Sequence, residues 1–360
     1  MPTRRPDVDS FARRLLQWFD RHGRHDLPWQ LAATPYAVWV SEIMLQQTQV
    51  ATVIPYFERF MRRFPSVAAL AAAELDEVLA QWAGLGYYAR ARNLHRAAKQ
   101  MLAEHGGELP RTQALLEALP GVGRSTAAAI LALAHDFPAP ILDGNVKRVL
   151  ARYHGIEGWP GQTAVLARLW KHAAEHTPCH RPAAYTQAIM DLGATLCTRH
   201  APGCASCPVR RGCAAARAGT QHRLPSPRPR RARPRRRVRV LLIEDDDRRI
   251  LLERRPPAGI WGGLFSLPEL AGEHDPKDWC REHLHAPVGE QRSLPSIAHA
   301  FTHFDLEIAP LWLKLLEAPG RVMDRPDWLW YKPAMTQEIG LAAPIAELLE
   351  SRFESNEAGA

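Results

Sequence analysis

The sequence has no run of about 18 consecutive apolar residues, so nothing in it reads as a transmembrane helix. Its first residues, Met1 to Arg14, carry charge but lack the apolar core that a secretory signal needs. Cysteine is scarce, six residues in 360, and without a secretion signal a disulfide framework is a poor use for them. Metal ligation or free thiols remain. Internal repeats are also missing. The length is generous for one hydrophobic core and suits two domains.

From Arg223 to Arg239 there is no acidic residue at all, but nine arginines and four prolines. Such a segment cannot bury a core and reads as a mobile, cationic linker. The charge on its two sides differs. Residues 1–239 hold 34 basic and 17 acidic side chains, a balance of +17; residues 240–360 hold 12 and 21, a balance of −9. A basic first half points to a polyanionic partner, because cations that neutralise phosphates release counterions. Taken alone, the linker is equally well read as a solubilising tether.

From Ser10 to about Ala194 the apolar residues recur at helical spacing, as in Phe11, Leu15, Leu16 and Phe19. Short Pro or Gly breaks, such as Gly84-Leu85-Gly86, divide this half into many helices. Past the linker the period changes. Val238 to Ile243, Asp245 to Asp247 and Ile250 to Leu252 read as strand, turn and strand. Further strands are expected at Phe304–Leu315 and Trp328–Tyr331, and a closing helix at Leu341–Phe353. The expected organisation is an all-α domain over 1–222, the linker over 223–239 and an α+β domain over 240–355.

Four of the cysteines, Cys197, Cys204, Cys207 and Cys213, stand as C-x6-C-x2-C-x5-C. Four thiolates within 17 residues can wrap one soft metal centre, but the spacing does not separate zinc from [4Fe–4S]. Cys179 and Cys280 fall outside the pattern and read as ordinary thiols. Earlier in the chain, Leu119-Pro-Gly-Val-Gly-Arg-Ser-Thr-Ala127 lies between two helical stretches. Gly121 and Gly123 permit a tight turn with exposed amides, and Ser125 opens a helix whose N–H groups face outward. That geometry binds phosphate, often through a bridging monovalent or divalent cation, without reading sequence.

In this order the two motifs resemble the helix–hairpin–helix, iron–sulfur DNA glycosylases related to endonuclease III. Longer segments match the MutY-type adenine glycosylases among them: Leu27-Pro-Trp29, Trp39 to Val50, Gly84 to Asn93, Ile141 to Arg148 and Met190-Asp-Leu-Gly193. The resemblance covers nearly the whole chain. It implies an all-α helix–hairpin–helix glycosylase domain with an iron–sulfur cluster loop, plus a C-terminal α+β, Nudix-like domain. It also implies one [4Fe–4S] cluster on the four cysteines, and duplex DNA with A:8-oxoguanine or A:G mispairs as partner. A monomer is expected, with no membrane partner and a cytoplasmic, nucleoid-associated location of bacterial type.

Breaking the glycosidic bond to adenine needs a proton delivered to the base and a carboxylate near the sugar cation. Glu42 lies among Val40, Ser41, Ile43, Met44 and Leu45, an apolar setting that keeps a carboxyl protonated. Asp143 opens a helix before Gly144 and Asn145, where backbone amides favour the ionised form. Read alone, they are equally a helix-surface acid and an N-cap. The resemblance makes Glu42 the general acid and Asp143, assisted by Asn145, the group that stabilises or captures the sugar cation. Position 125 lacks the Schiff-base lysine of bifunctional relatives, so water completes the reaction, with Lys147 the nearest lysine to the acid motif.

The same resemblance places Gln47 and Tyr87 inside the duplex, with Leu45 and Thr48 lining that region. Trp29 and Gln187 fall around the extruded adenine. In the last domain, Gly263 to Glu269 has the G-x5-E start of a Nudix box but not its carboxylate-rich continuation, so magnesium-dependent hydrolysis is not expected. Recognition of 8-oxoguanine is expected instead from Phe301, Thr302 and His303, with Thr302 where the family usually has serine. An endonuclease III-like lyase, a catalytically silent metal–DNA binder and a Nudix hydrolase are the alternatives.

Overall fold

The computed structural model describes residues 8–31, 34–229, 233–256, 259–301, 304–317, 325, 327–332 and 339–357. Through residue 218 it is helical: α1 (Val8–His22), α2 (Pro28–Leu31), α3 (Pro35–Met44), α4 (Val50–Arg63), α5 (Val67–Ala72), α6 (Leu75–Trp82), α7 (Ala89–His105), α8 (Gln113–Glu117), α9 (Arg124–His135), α10 (Gly144–His154), α11 (Thr163–His176), α12 (Pro182–Asp191) and α13 (Ala214–Ala218). A π-helical turn, Leu192–Leu196, runs from α12 into the first cysteine of the cluster motif. Among the described residues no helix is long and apolar enough to cross a membrane.

The chain divides into two compact units, one of residues 1–72 and 93–230, the other of residues 73–92 and 231–360. The segment 73–92, within the expected helical domain, groups by contact with the second unit. The Arg/Pro segment is in part a strand, because β1 (Arg235–Glu244) begins inside it. The reason lies in pairing. Arg235 to Glu244 run parallel to Asp305 to Lys314 in β7 (Asp305–Leu315), and that ladder recruits arginines whose own composition is not strand-like. Arg237 also pairs with Glu307 at 3.4 Å.

The first unit buries a core on small-residue helices. In α9, Ala127, Ala128, Ala129, Ile130, Leu131 and Ala132 are all buried, and α3 packs on that face. The alanines let two helix backbones approach closely, which matters for what α3 carries.

The second unit is a mixed sheet. The order is β3 (Phe265–Ser266), β2 (Ile250–Arg254), β1, β7, β5 (Val288–Ser293), with β4 (Glu269–Leu270) on β1, β6 (Ile297–Ala300) on β7 and β8 (Trp328–Tyr331) on β2. The β1–β7 pair is parallel and the others are antiparallel. Leu241, Ile243, Leu251, Leu313 and Leu315 share one core with Trp279, Cys280 and Leu284 of α14 (Pro276–Leu284). Asp275 caps α14 by accepting from the Lys277 amide at 2.7 Å, and α15 (Ala343–Glu357) closes the unit with Ile345 and Leu349 buried. The turn at Asp245–Asp247 falls where expected, with Glu244 opposite Ile250.

Candidate active site

Glu42 lies on a helix that is buried on nearly every side. Thr34 caps α3 by accepting from the Ala37 amide at 3.1 Å, and Pro35 follows at the first helical position. Tyr36 to Ser41, Ile43 and Met44 are all buried, and Glu42 is the one half-buried residue among them. Burial pushes its carboxyl up to about 8, and the charge of Asp143 pushes the same way. The acidic proton is therefore retained at neutral pH.

Asp143 is the N-cap of α10 and accepts from the Val146 amide at 2.7 Å. Its setting differs from the expected one. The amides of Val146 and Asn145 and the cations Arg148 and Lys147 do lower its pKa, but desolvation outweighs them and the net direction is up. The cap position was readable from the sequence; the depth of burial was not. The two half-buried carboxyls thus lie close enough for Asp143 to raise Glu42, and their titrations are coupled.

Asn145 is fixed beside this pair. Its Oδ1 accepts from Arg148 Nη2 at 2.8 Å, and the same Arg148 donates to Gly193 O at 2.6 Å and to Cys197 O at 2.7 Å. A Cβ on Gly193 would lie 2.6 Å from Asn145 Cβ, which explains the glycine of the Met190–Gly193 motif. Ser125 also reaches the acid loop, its Oγ accepting from the Leu142 amide at 2.9 Å.

The hairpin is attached to α3 by a residue that motif reading passed over. Gln46 Nε2 donates to Gly121 O and Thr126 Oγ1, both at 3.3 Å. Gly121 and Gly123 differ in what requires them. Gly121 has φ +81°, and a Cβ there would meet Asn93 Cβ at 2.8 Å. Gly123 has φ −96°, is exposed, and a Cβ there would meet nothing within 4 Å. Exposed Gly144, next to Asp143, also faces open space.

Gln47 and Tyr87 are both exposed, and both adopt the left-handed region, φ 61° and 51°. Non-glycine residues held there cost about 1–3 kcal/mol and cluster at functional sites. Arg90, another residue the motifs did not single out, holds the Tyr87 turn. It donates to Gly86 O at 3.0 Å and lies 5.4 Å over the Tyr87 ring. Leu45 and Thr48 are half-buried in the Gln47 turn, where the Thr48 amide donates to Leu45 O at 3.3 Å. Trp29 and Gln187 make contacts within the core. Trp29 packs edge-on against Phe57 at 5.3 Å, and Gln187 donates to Asp191 at 2.8 Å. Asp191 also accepts from Arg24 Nε at 2.9 Å.

Cys197, Cys204, Cys207 and Cys213 are free, half-buried, and line one cavity with Arg152, Leu192 and Leu196. Buried Arg152 donates to Cys197 Sγ at 3.3 Å and to Thr198 O at 2.7 Å. Burial pushes Cys207 up to about 11 and raises Cys213. Four sulfurs around one dry cavity fit the donor set of a metal cluster, whose positive charge would offset that desolvation. Among the described residues no three His, Cys, Asp or Glu meet at single-ion distance. Beside Cys207, a cleft is lined by Arg14, Arg210, Arg211 and Arg217.

In the second unit, Phe301 and Phe304 end the four-residue connection between β6 and β7, stacked at 4.6 Å. The Phe301 amide donates to Phe304 O at 2.9 Å, and the His299 ring meets Phe301 edge-on at 4.7 Å. Thr302 and His303 lie outside the described residues. Glu269, the acid of the G-x5-E segment, is paired with Arg255 at 2.9 Å.

Residues 40–175 match the HhH-GPD superfamily of base excision DNA repair proteins, and residues 239–351 match the NUDIX domain. The adenine DNA glycosylase of Buchnera aphidicola subsp. Acyrthosiphon pisum is 36% identical over 346 residues, spanning 96% of this chain and 98% of its own. The chain belongs to the adenine DNA glycosylase family. The rat member is 37% identical over 359 residues, covering 83% of this chain and 69% of its own. Among solved structures, a thermostable thymine-DNA glycosylase aligns with 59% of this chain and 97% of its own at a TM-score of 0.54 and 26% identity. That alignment spans a share of the chain close to that of its helical part. The family assignment makes the chain a base-excision repair glycosylase with an appended Nudix-like unit.

Proposed function

We propose that the chain is a monofunctional glycosylase that removes adenine opposite 8-oxoguanine, or opposite guanine, after extruding it from duplex DNA. The observation that carries this reading is the acid pair: Glu42 held near 8 by burial, with Asp143 close enough to raise it. Glu42 donates its proton to a ring nitrogen of adenine, and the C1′–N9 bond breaks with its electron pair leaving on the base. Asp143 faces the resulting sugar cation. It is the member of the pair with amides and cations opposing its protonation, so it carries the charge. Water then adds to C1′, and its proton returns to a carboxylate. No lysine stands at position 125, and Ser125 is engaged with the Leu142 amide, so hydrolysis ends the reaction without strand cleavage.

Several features support duplex DNA as the partner. Gly123 and Gly144 leave open space that nothing within the protein requires, which suits close approach of a phosphate and a sugar. Strained, exposed Gln47 and Tyr87 suit intrusion into the stack. The arginine cleft beside Cys207 suits a phosphate backbone. The four cysteines would hold a [4Fe–4S] cluster, and iron with acid-labile sulfide in the purified protein tests this. Bound there, the cluster would give the loop 197–213 its shape, and glycosidic cleavage needs no electron from it. Phe301, Thr302 and His303 are the proposed reader of the base opposite adenine, and Trp29 and Gln187 the proposed surroundings of the extruded base.

One assay separates the readings: single-turnover cleavage of A:8-oxoguanine, A:G, A:T and thymine-glycol duplexes. Excision from the first two is expected. Activity confined to thymine glycol would point to a pyrimidine glycosylase, and binding without excision to a silent binder.

A further inference from the structure

The Trp261-Gly262-Gly263 turn plays no part in the proposed chemistry. It lies at the start of the G-x5-E segment, whose one acid is spent on Arg255. Yet it is tightly built. Trp261 adopts φ 53°, a left-handed conformation that a bulky side chain rarely takes, and its carbonyl accepts from the Leu264 amide at 2.9 Å. The indole is half-buried and faces the recognition connection, 6.0 Å from both the His299 and the Phe301 rings. On the other side of the turn, Arg92 Nη1 donates to Gly262 O, and Gly263 packs along the Arg92 stem.

Arg92 leads back to Tyr87. Its amide donates to Tyr88 O at 3.1 Å, one residue along from the Tyr87 carbonyl, which accepts from the Arg90 amide at 2.9 Å. Both bonds belong to the first turn of α7. All these residues belong to the second unit. A second contact ties the same segment to the same sheet: Arg254 forms a two-pronged pair with Asp76, Nη2 to Oδ2 at 2.6 Å. Tyr88, the neighbour of Tyr87 in the chain, and the Phe301 ring are therefore joined through Arg92, Gly262 and Trp261.

We propose that Arg92 and Trp261 are positioning residues that hold the opposite-base reader in register with Tyr87, and so set the preference for 8-oxoguanine over guanine. Neither touches the reacting atoms. They make the reader and the intruding tyrosine engage one mispair together, and the gain is realised only when the opposite base fits the reader. The inference rests on the proposed adenine glycosylase reading and adds the means of its selectivity.

The test is the ratio of single-turnover excision rates for A:8-oxoguanine over A:G, measured on the full chain. Arg92→Ala and Trp261→Leu are each expected to lower the ratio about ten-fold, with the A:G rate within about two-fold of wild type. Arg92→Lys keeps a donor for Gly262 O, and Trp261→Phe keeps a ring for His299 and Phe301, so both should retain most of the preference. The Arg92→Ala/Trp261→Leu double variant should be no worse than the more affected single one, since both break one connection. A ratio unchanged in Arg92→Ala, equal slowing on both duplexes, or additive losses in the double variant would overturn the proposal. If Trp261→Leu does not fold, Arg92→Ala and its lysine counterpart decide the matter. Wild-type protein that excises adenine from neither duplex would instead remove the reading beneath it. Wild type with a preference that every variant keeps would remove this inference alone.

Discussion

The acid pair of the helical unit and the ring cluster of the sheet unit sit in different physical settings. Glu42 and Asp143 are drawn out of water by tightly packed helices, and burial outweighs every neighbour in raising both carboxyls. His299, Phe301 and Trp261 are half-buried as well, but they are held by ring contacts and the Gly262 carbonyl rather than by packed helices. A proton kept for delivery needs the desolvation that helix packing supplies. The two parts of the sequence also differ in charge, basic over residues 1–239 and acidic over residues 240–360.

The sharpest way to break this comparison is Glu42→Gln. Excision should fall about a thousand-fold, with binding to the mispair retained. Stability should move the other way. Glu42 binds its proton more tightly when folded, so the stability it permits is full below about 4.5 and is lost as pH rises toward about 8. Removing the carboxyl should therefore stabilise the chain by up to about 3 kcal/mol at pH 7, readable as a raised Tm that no longer declines over that window. A lowered Tm would mean that Glu42 is a structural acid.

Asp143→Asn should cost about a hundred-fold in excision, and it should pull the Glu42 titration down from about 8 by removing a like charge. Carboxyl NMR of Glu42 reads that shift without needing activity, and no movement would show the two acids to be uncoupled. On the recognition side the expected effects are smaller. Thr302→Ala should reduce the preference for 8-oxoguanine over guanine about ten-fold, the worth of one hydrogen bond. An unchanged preference would place recognition elsewhere.

The hairpin glycines give the finest contrast. Gly121→Ala should destabilise by about 2 kcal/mol, from its left-handed backbone and the crowding against Asn93. Gly123→Ala should cost less than about 1 kcal/mol but weaken duplex binding several-fold. Equal effects on melting temperature would remove the distinction between an internal and an external reason for glycine.

Much of this was legible in the sequence where one residue pattern serves one element. Short apolar runs mark β1 and β2, alternation marks β7, and the Asp275-Pro276 start marks α14 once capping is sought. The exposed edge strand β5, Val-Gly-Glu-Gln-Arg-Ser with an irregular register at Val288/Glu290, carries no such pattern. The site was legible by motif but not by environment. Asp143 reads as a cap, yet whether amides or burial govern its proton depends on helices far along the chain. Gln46 and Arg92 were passed over for a related reason. Their partners, Gly121 and Gly262, are 75 and 170 residues away, and local reading assigns a polar side chain to solvent.

The central claim is that burial keeps a proton on Glu42 for delivery to adenine. Single-turnover excision from an A:8-oxoguanine duplex, followed from about pH 5 to about pH 9.5, tests it directly. The rate should hold through neutral pH and fall on the alkaline side with an apparent midpoint near 8, as Glu42 loses its proton. A rate that stays level to the alkaline end, or an alkaline fall that persists unchanged in Glu42→Gln, would contradict the account.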